Sequence, residues 1–269
     1  MLNPIITLTT DFGLKDPYVA EMKAVILSIG SDVIIVDISH QVQKFNVRMA
    51  AFILASASPY FPSGTVHVAV VDPRVGTKRR AICIEGKHSF YIGPDNGLLA
   101  LAAKREGMKH VHEITNRKYM LPKPSGTFHG RDIFAPVAAN LANGVSPKEF
   151  GAEITGIVVP MFARATRKKC TLEGEVIHVD DFGNVITNLA EKEFEKMKTK
   201  RVINIRIKNT RLKLNLCRAY GQVKEREPLA IIGSHGFLEI STNRANASKI
   251  LKVNIGDKIT LYHPSKLTC

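Results

Sequence analysis

Three side chains in the first half of the chain could share one piece of chemistry. Asp72 closes the apolar run "TVHVAVVD" (65–72) and is followed by Pro73, whose ring fixes the φ angle of a turn. Gly76 then lets the chain curl back, bringing Lys78, Arg79 and Arg80 towards the Asp72 carboxylate. An aspartate–arginine pair in a cleft can orient a water molecule, and the cation favours the ionised carboxylate. His129, in "GTFHGRD" (126–132), can take or give a proton near neutral pH, and Gly130 leaves space beside it. Each residue has a plainer alternative. Asp72 could close its loop as a structural ion pair, and His129 could simply sit at a polar helix start.

The elements that must position these groups follow from hydrophobic spacing. "PIITLTT" (4–10), "DVIIVDIS" (32–39), "TVHVAVVD" (65–72), "RAICIEG" (80–86) and "SFYIG" (89–93) have the apolar, β-rich character of buried strands. Helical spacing spans 16–30, 46–61, 96–107 and 131–144. In the first of these Asp16 suits an N-cap, Pro17 the first helical position and Gly30 the stop. Strands alternating with helices predict a largely parallel sheet, whose carboxyl edge is where ligands gather. Polar residues recur at that edge: Asp11 after the first strand, His40 after the second, Asp72 after the third, and "PDNG" (94–97) after "SFYIG".

From about residue 160 the texture changes to short alternating segments broken by turns, with one short helix at about 190–197. This reads as a small β domain, sandwich or barrel. The expected fold class is α/β: an N-terminal α/β/α layered domain with a mostly parallel sheet (1–160), a linker (161–170), and a smaller C-terminal β-barrel-like domain (171–269).

Composition narrows the function classes. The chain has 269 residues, 45% of them hydrophobic, enough for a substantial core. No apolar run approaches the ~20 residues of a membrane span. No signal-peptide pattern opens the sequence, so a cytoplasmic protein is expected. Cys83, Cys170, Cys217 and Cys269 form no CxxC pair and lack nearby histidines at zinc spacing, so neither metal nor cofactor is expected. The net charge of +14 is spread along the chain without interleaved aromatics, and specific nucleic-acid recognition is not expected. "DFG" occurs at 11–13 and 181–183 without the rest of a kinase signature. Walker, GxGxxG and GxSxG patterns are missing.

Six blocks carry a resemblance: "LTTDFG", "VVDPRVGTKRR", "YIGPDNGLL", "TFHGRDIFAPVAA", "DDFGNVITN" and "GSHGFLEIS". In this order, from residue 5 to about 245, they resemble the S-adenosyl-L-methionine (SAM) hydroxide adenosyltransferase family, whose relatives include fluorinases and chlorinases. The resemblance implies cleavage of SAM to adenosine and L-methionine by water or hydroxide attacking C5′, with no metal. It implies Asp72, Arg79 and His129 as the catalytic set, a set the halogenating relatives lack. It implies Asp11 on the ribose hydroxyls and Phe45 as an aromatic wall. In the C-terminal domain it implies Phe182 and Asn184 on adenine, Asp180 or Asp181 on the methionine ammonium, and Ser234 and Glu239 as further contacts, with the backbone near Thr242 facing the adenine edge.

The resemblance also implies homotrimers with sites at subunit interfaces. It leaves the preference between SAM epimers undecided, although the family is linked to the (R)-sulfonium form. Two positions depart from the pattern. His235 stands where halogenating relatives have an arginine for the substrate carboxylate, and Arg74 where glycine is common. Two other readings stay open: a SAM- or adenosine-binding regulator with little turnover, and a nucleic-acid-binding protein, which a steep salt dependence of binding would reveal.

Overall fold

The structure, a computed structural model, describes residues 3–195 and 201–263. Its contacts divide the chain into two units, Met1–Val159 and Pro160–Cys269.

In the first unit the element order is β1 (Ile5–Thr10), α1 (Tyr18–Ile29), β2 (Ile34–Ser39), α2 (Val47–Ala57), β3 (Val66–Val70), β4 (Ala81–Gly86), β5 (Phe90–Pro94), α3 (Ala100–Glu106), β6 (Met108–Glu113) and α4 (Ala135–Ala142). The sheet runs β2-β1-β3-β5-β4-β6. Strands β2, β1, β3 and β5 are parallel, β4 is antiparallel to β5, and β6 is antiparallel to β4.

Strand alternation sorts the faces. Ile6, Leu8, Val66, Val68 and Val70 pack with Met22 and Ile26 of α1 and with Val137, Ala138 and Leu141 of α4. The other face is covered by α2 and α3, which pack on each other through buried alanines. This is an α/β/α layering around a mostly parallel sheet. Burying one such Leu or Ile side chain contributes ~1.5–3 kcal/mol, so the two apolar faces hold the layers together. Gly93 of β5 lies so close to β3 that a Cβ there would meet the Ala69 carbonyl oxygen at 2.3 Å.

Several boundaries differ from the sequence reading. Pro17 occupies the N-cap of α1, not its first helical position, and no side chain caps that end. The helix expected at 96–107 begins at Ala100. The segment expected to start a helix at 131 is a π-helical turn, Gly130–Phe134, which leads into α4. β6 has no counterpart in the expected strands, because Lys109, His110 and His112 break any apolar run. Residues 196 and 197 of the helix expected at about 190–197 lie outside the described residues.

The second unit contains β7 (Thr166–Arg167), β8 (Thr171–Val179), β9 (Val185–Ala190), α5 (Glu191–Glu195), β10 (Val202–Ile207), β11 (Thr210–Cys217), β12 (Pro228–Ile232), β13 (Phe237–Thr242), α6 (Ala247–Leu251) and β14 (Lys258–Tyr262). The order β14-β10-β11-β12-β13-β9-β8 closes through β14–β8 pairing into a seven-strand barrel, with β7 added on β8. Closure leaves no free edge in the ring. Alternate residues such as Ile203, Ile205 and Ile207 fill the barrel core with Leu172, Leu238 and Leu261. Among the described residues, no helix is long and apolar enough to cross a membrane.

Candidate active site

The topology of the first sheet explains why distant residues meet. β1 and β3 are parallel neighbours, so Asp11 and Asp72 leave the sheet at the same edge. β4 runs the other way, and Ala81 at its start pairs with Pro94 at the end of β5. Arg79, just before β4, therefore returns to the edge that Asp72 leaves.

Arg79 is the link between the two candidate acid–base groups. Its Nε donates to Asp72 Oδ2 at 2.7 Å, and its Nη2 lies 2.6 Å from the same oxygen. Nη2 also lies 2.6 Å from His129 Nδ1. The Arg79 and Asp72 side chains are only 5% and 4% exposed, and the guanidinium rests 5.4 Å from the Phe134 ring centre.

A guanidinium has no acceptor, so Nδ1 of His129 must accept this bond. The neutral imidazole then carries its proton on Nε2. Burial, and next the Arg79 charge, hold the His129 pKa below its ordinary 6.5, against the opposing pull of Asp72 and Asp132. His129 is therefore neutral at pH 7 and offers an Nε2–H donor. Asp72 Oδ1 accepts a 3.3 Å bond from the Arg74 amide. That long bond leaves Oδ1 with lone-pair capacity for a further donor.

His129 is placed by its neighbours. A Cβ at Gly130 would sit 3.1 Å from the Phe128 ring and 3.2 Å from Met22 Sδ, so these side chains pack tightly over the glycine. Asp132 is buried and does not line the cavity that His129 lines. Its Oδ2 accepts from Ser125 N at 2.7 Å, and its Oδ1 from Arg131 Nε at 2.6 Å. Arg131 also reaches Glu21 at 2.6 Å. These bonds fasten the 125–132 segment. Across from it, a Cβ at Gly76 (φ +75°) would meet the Gly126 carbonyl oxygen at 2.3 Å, so the loop carrying Asp72 and Arg79 abuts the segment carrying His129.

Asp72, His129 and Asp11 line one cavity of about 410 Å³, within the ~300–1,000 Å³ range of small-molecule sites. Asp11 Oδ2 accepts from Phe45 N at 2.8 Å, and Lys44 Nζ donates to the Asp11 carbonyl at 2.5 Å. Phe45 adopts φ +64°, a left-handed conformation that is costly for a bulky residue. The residue is 69% exposed. Phe12, Tyr18 and Phe128 form one wall as mutual edge-to-face pairs, with centroids 5.2–5.8 Å apart. Tyr18, Lys44, Thr127 and Phe128 also line the cavity. Lys44 and Phe128 directly precede Phe45 and His129 and Thr127 lies one residue further back, which is the signal the sequence offers for them; it offers none for Tyr18.

The remaining sequence-predicted residues belong to the second unit. Asp180 accepts from Asn184 N at 2.8 Å and from Asn184 Nδ2 at 2.9 Å, which turns the Asn184 amide oxygen away from the carboxylate. Between them Phe182 is 81% exposed. Gly183 takes φ +86° and packs against Asn246 so closely that a Cβ would lie 2.1 Å from its side chain. Glu239 is buried and its Oε1 accepts from Tyr220 Oη at 2.8 Å and Ser241 Oγ at 2.7 Å. Tyr220, about 20 residues away in sequence, was not anticipated. The register Ile240↔Val185 sets the Asp180–Asn184 turn beside the Thr242 end of β13, whereas Ser234 precedes the opposite end of that strand. Burial, with a smaller contribution from His235, lowers the His178 pKa, while Asp180 and Asp181 raise it. Among the described residues, no group of three or more His, Cys, Asp or Glu could hold a metal ion.

Two family models match the chain: the SAM hydroxide adenosyltransferase N-terminal domain over residues 6–151 and its C-terminal domain over residues 174–260. The chain belongs to the SAM hydroxide adenosyltransferase family. It is 41% identical to the (R)-S-adenosyl-L-methionine hydrolase of Methanocaldococcus jannaschii, with 96% of each protein covered. It is 36% identical to the hydrolase of the same name from Thermus thermophilus, covering 94% of this chain and 97% of that protein. A fluorinase from an Actinoplanes species is 27% identical over 96% of this chain and 97% of its own length. Among solved structures, an uncharacterised conserved protein from Thermotoga maritima superposes with a TM-score of 0.84 at 40% identity, covering 96% of this chain and 99% of that one. In this family member, then, the cavity edge carries an aspartate and a neutral histidine joined by one arginine.

The tautomer and the pKa direction can be measured together. Nitrogen-detected NMR of the imidazole should show His129 titrating below about 6.5, with its neutral form protonated on Nε2. Replacing Arg79→Met removes the cation and should move that titration upwards. An unshifted titration, or a neutral form protonated on Nδ1, would contradict the bridging geometry.

Proposed function

We propose that this chain hydrolyses S-adenosylmethionine to adenosine and L-methionine, with water attacking C5′. The observation that carries the reading is the Arg79 bridge between Asp72 and His129 at the edge of the cavity. It is supported by the family membership and by relatives 36–41% identical that are named (R)-S-adenosyl-L-methionine hydrolases.

The chemistry suits these residues. A sulfonium is a good leaving group and takes the C5′–S electron pair without protonation. The enzyme's task is to orient one water in line with that bond and to receive its proton. In this reading Asp72 Oδ1 accepts from the water, and the Nε2–H of His129 fixes its orientation. Arg79 holds both groups and does not line the cavity. A neutral His129 also adds no positive charge beside a cationic substrate. As the new C5′–O bond forms, one water proton passes to Asp72 and then to solvent.

Asp11, fixed by the Phe45 amide, accepts from the ribose hydroxyls, and Phe45 supplies the aromatic wall. In the second unit, Phe182 and the amide oxygen of Asn184 suit an adenine face and its exocyclic amine. Asp180 or Asp181 suits the methionine ammonium, and Thr242 lends its backbone. Ser234 and Glu239 complete the contacts, with Tyr220 holding Glu239 in place. The preferred epimer is the (R)-sulfonium form, the one in the names of those relatives. The three described cysteines are free thiols, which suits a cytoplasmic protein. The chain assembles as a homotrimer, and light scattering should give three times its 29.7 kDa mass; a monomer mass would contradict the trimer.

The deciding experiment incubates the protein with each SAM epimer and separates the products. Adenosine and methionine should form, faster from the (R) epimer. Binding without turnover would instead identify a regulator. Among variants, Asp72→Asn and His129→Ala should lower kcat by about 10²-fold or more with adenosine affinity nearly unchanged. Asp11→Ala should act mainly on KM. Activity should fall as acid protonates His129, because imidazolium cannot accept from Arg79. The midpoint of that limb lies below His129's ordinary 6.5.

A further inference from the structure

The turn Pro94–Gly97, "PDNG", lies at the same sheet edge but does not line the cavity, and the mechanism above leaves it unused. Its two polar side chains hold opposite ends of one loop. Asn96 Nδ2 donates to the carbonyl oxygen of Val71 at 2.8 Å, and Val71 directly precedes Asp72. Asp95 Oδ2 accepts from Arg80 Nε at 2.9 Å and from Arg80 Nη2 at 2.5 Å, and Asp95 N donates to Arg80 O at 3.0 Å. Arg80 directly follows Arg79. Between these feet the loop bonds with itself: Val75 N to Asp72 O, Thr77 N to Arg74 O, and Arg74 N to Asp72 Oδ1.

The turn is itself well held. The Asp95 side chain is 2% exposed, and its Oδ1 accepts from Val158 N at 2.7 Å. Asn96 Oδ1 accepts from Leu98 N at 3.1 Å. The approach of Gly93 to Ala69 O presses β5, which leads into the turn, against β3, which leads into the loop. Asp95 holds Arg80 through Nε and Nη2, while the adjacent Arg79 holds Asp72.

We propose that Asp95 and Asn96 are positioning residues of this site. One clamps each foot of the loop from Asp72 to Arg79, so that the pair meets His129 in working geometry, and neither touches substrate. The proposal rests on the roles given above to Asp72 and Arg79. Displacing a catalytic group by about 1 Å can cost on the order of 10²-fold in rate, so a clamp of this kind should act on kcat.

The test is a double-mutant cycle on the assembled, full-length protein, with the SAM epimer that turns over as substrate. Asn96→Asp is isosteric and sets an acceptor against the Val71 carbonyl. It should lower kcat by about 10²-fold with KM within about twofold. In an Asp72→Asn background the same change should cost less than about threefold, because coupled residues do not add. Asp95→Asn, which turns an amide towards Arg80, should behave alike. Melting curves establish that each variant is folded at the assay temperature, and Asn96→Ala replaces Asn96→Asp if the latter is not. A wild-type kcat in the folded variant overturns the proposal. So does a loss that repeats in full on the Asp72→Asn background, or a loss confined to KM. If Asp72→Asn itself keeps a wild-type kcat, the underlying role assignment fails, and the clamp fails with it.

Discussion

One buried guanidinium constrains the whole site. Arg79 is almost fully enclosed, and an unpaired cation in such a place would cost several kcal/mol. It is satisfied by two acceptors, the Asp72 carboxylate and the lone pair on His129 Nδ1. That requirement fixes the tautomer of His129. It also fixes where they can stand, because the planar fork presents its N–H groups in set directions. The Phe134 ring centre lies 5.4 Å from the guanidinium carbon, on one face of the cation.

The fold meets this constraint through one irregularity in strand direction. A wholly parallel sheet would carry the residue that ends each strand to the carboxyl edge and its successor away from it. Here β4 is antiparallel to β5, so both the departure at Asp72 and the return at Arg79 lie on that edge. Glycines then permit the close approaches: Gly76 to the Gly126 carbonyl and Gly130 to Phe128 and Met22. The resulting cavity edge combines an anion with a neutral imidazole, an electrostatic arrangement suited to a positively charged substrate.

What could be read from the sequence was what is local. Apolar runs ending in Asp11 and Asp72 marked the sheet edge, and Gly76 marked the reversal towards Arg79. The alternation Val202–Ile207 marked a barrel-type strand. Less legible were features that depend on partners far along the chain. Nothing near His129 says that Arg79, 50 residues earlier, will occupy Nδ1 and so dictate the proton on Nε2. Nothing near Glu239 announces Tyr220. β6 escaped notice because its charged and histidine residues hide an edge strand. The π-helical turn at Gly130–Phe134 replaces the start of the helix that apolar spacing suggests, and no residue propensity marks it. The family blocks supplied roles that spacing alone left open.

The central claim is that a water molecule placed by Asp72 and His129 displaces methionine from C5′. The most direct measurement is turnover of S-adenosylmethionine in ¹⁸O-enriched water, followed by mass spectrometry of the adenosine. The account predicts one labelled oxygen per adenosine, on the 5′ carbon, with unlabelled methionine. Label found elsewhere, or a product such as methylthioadenosine in place of adenosine, would contradict it.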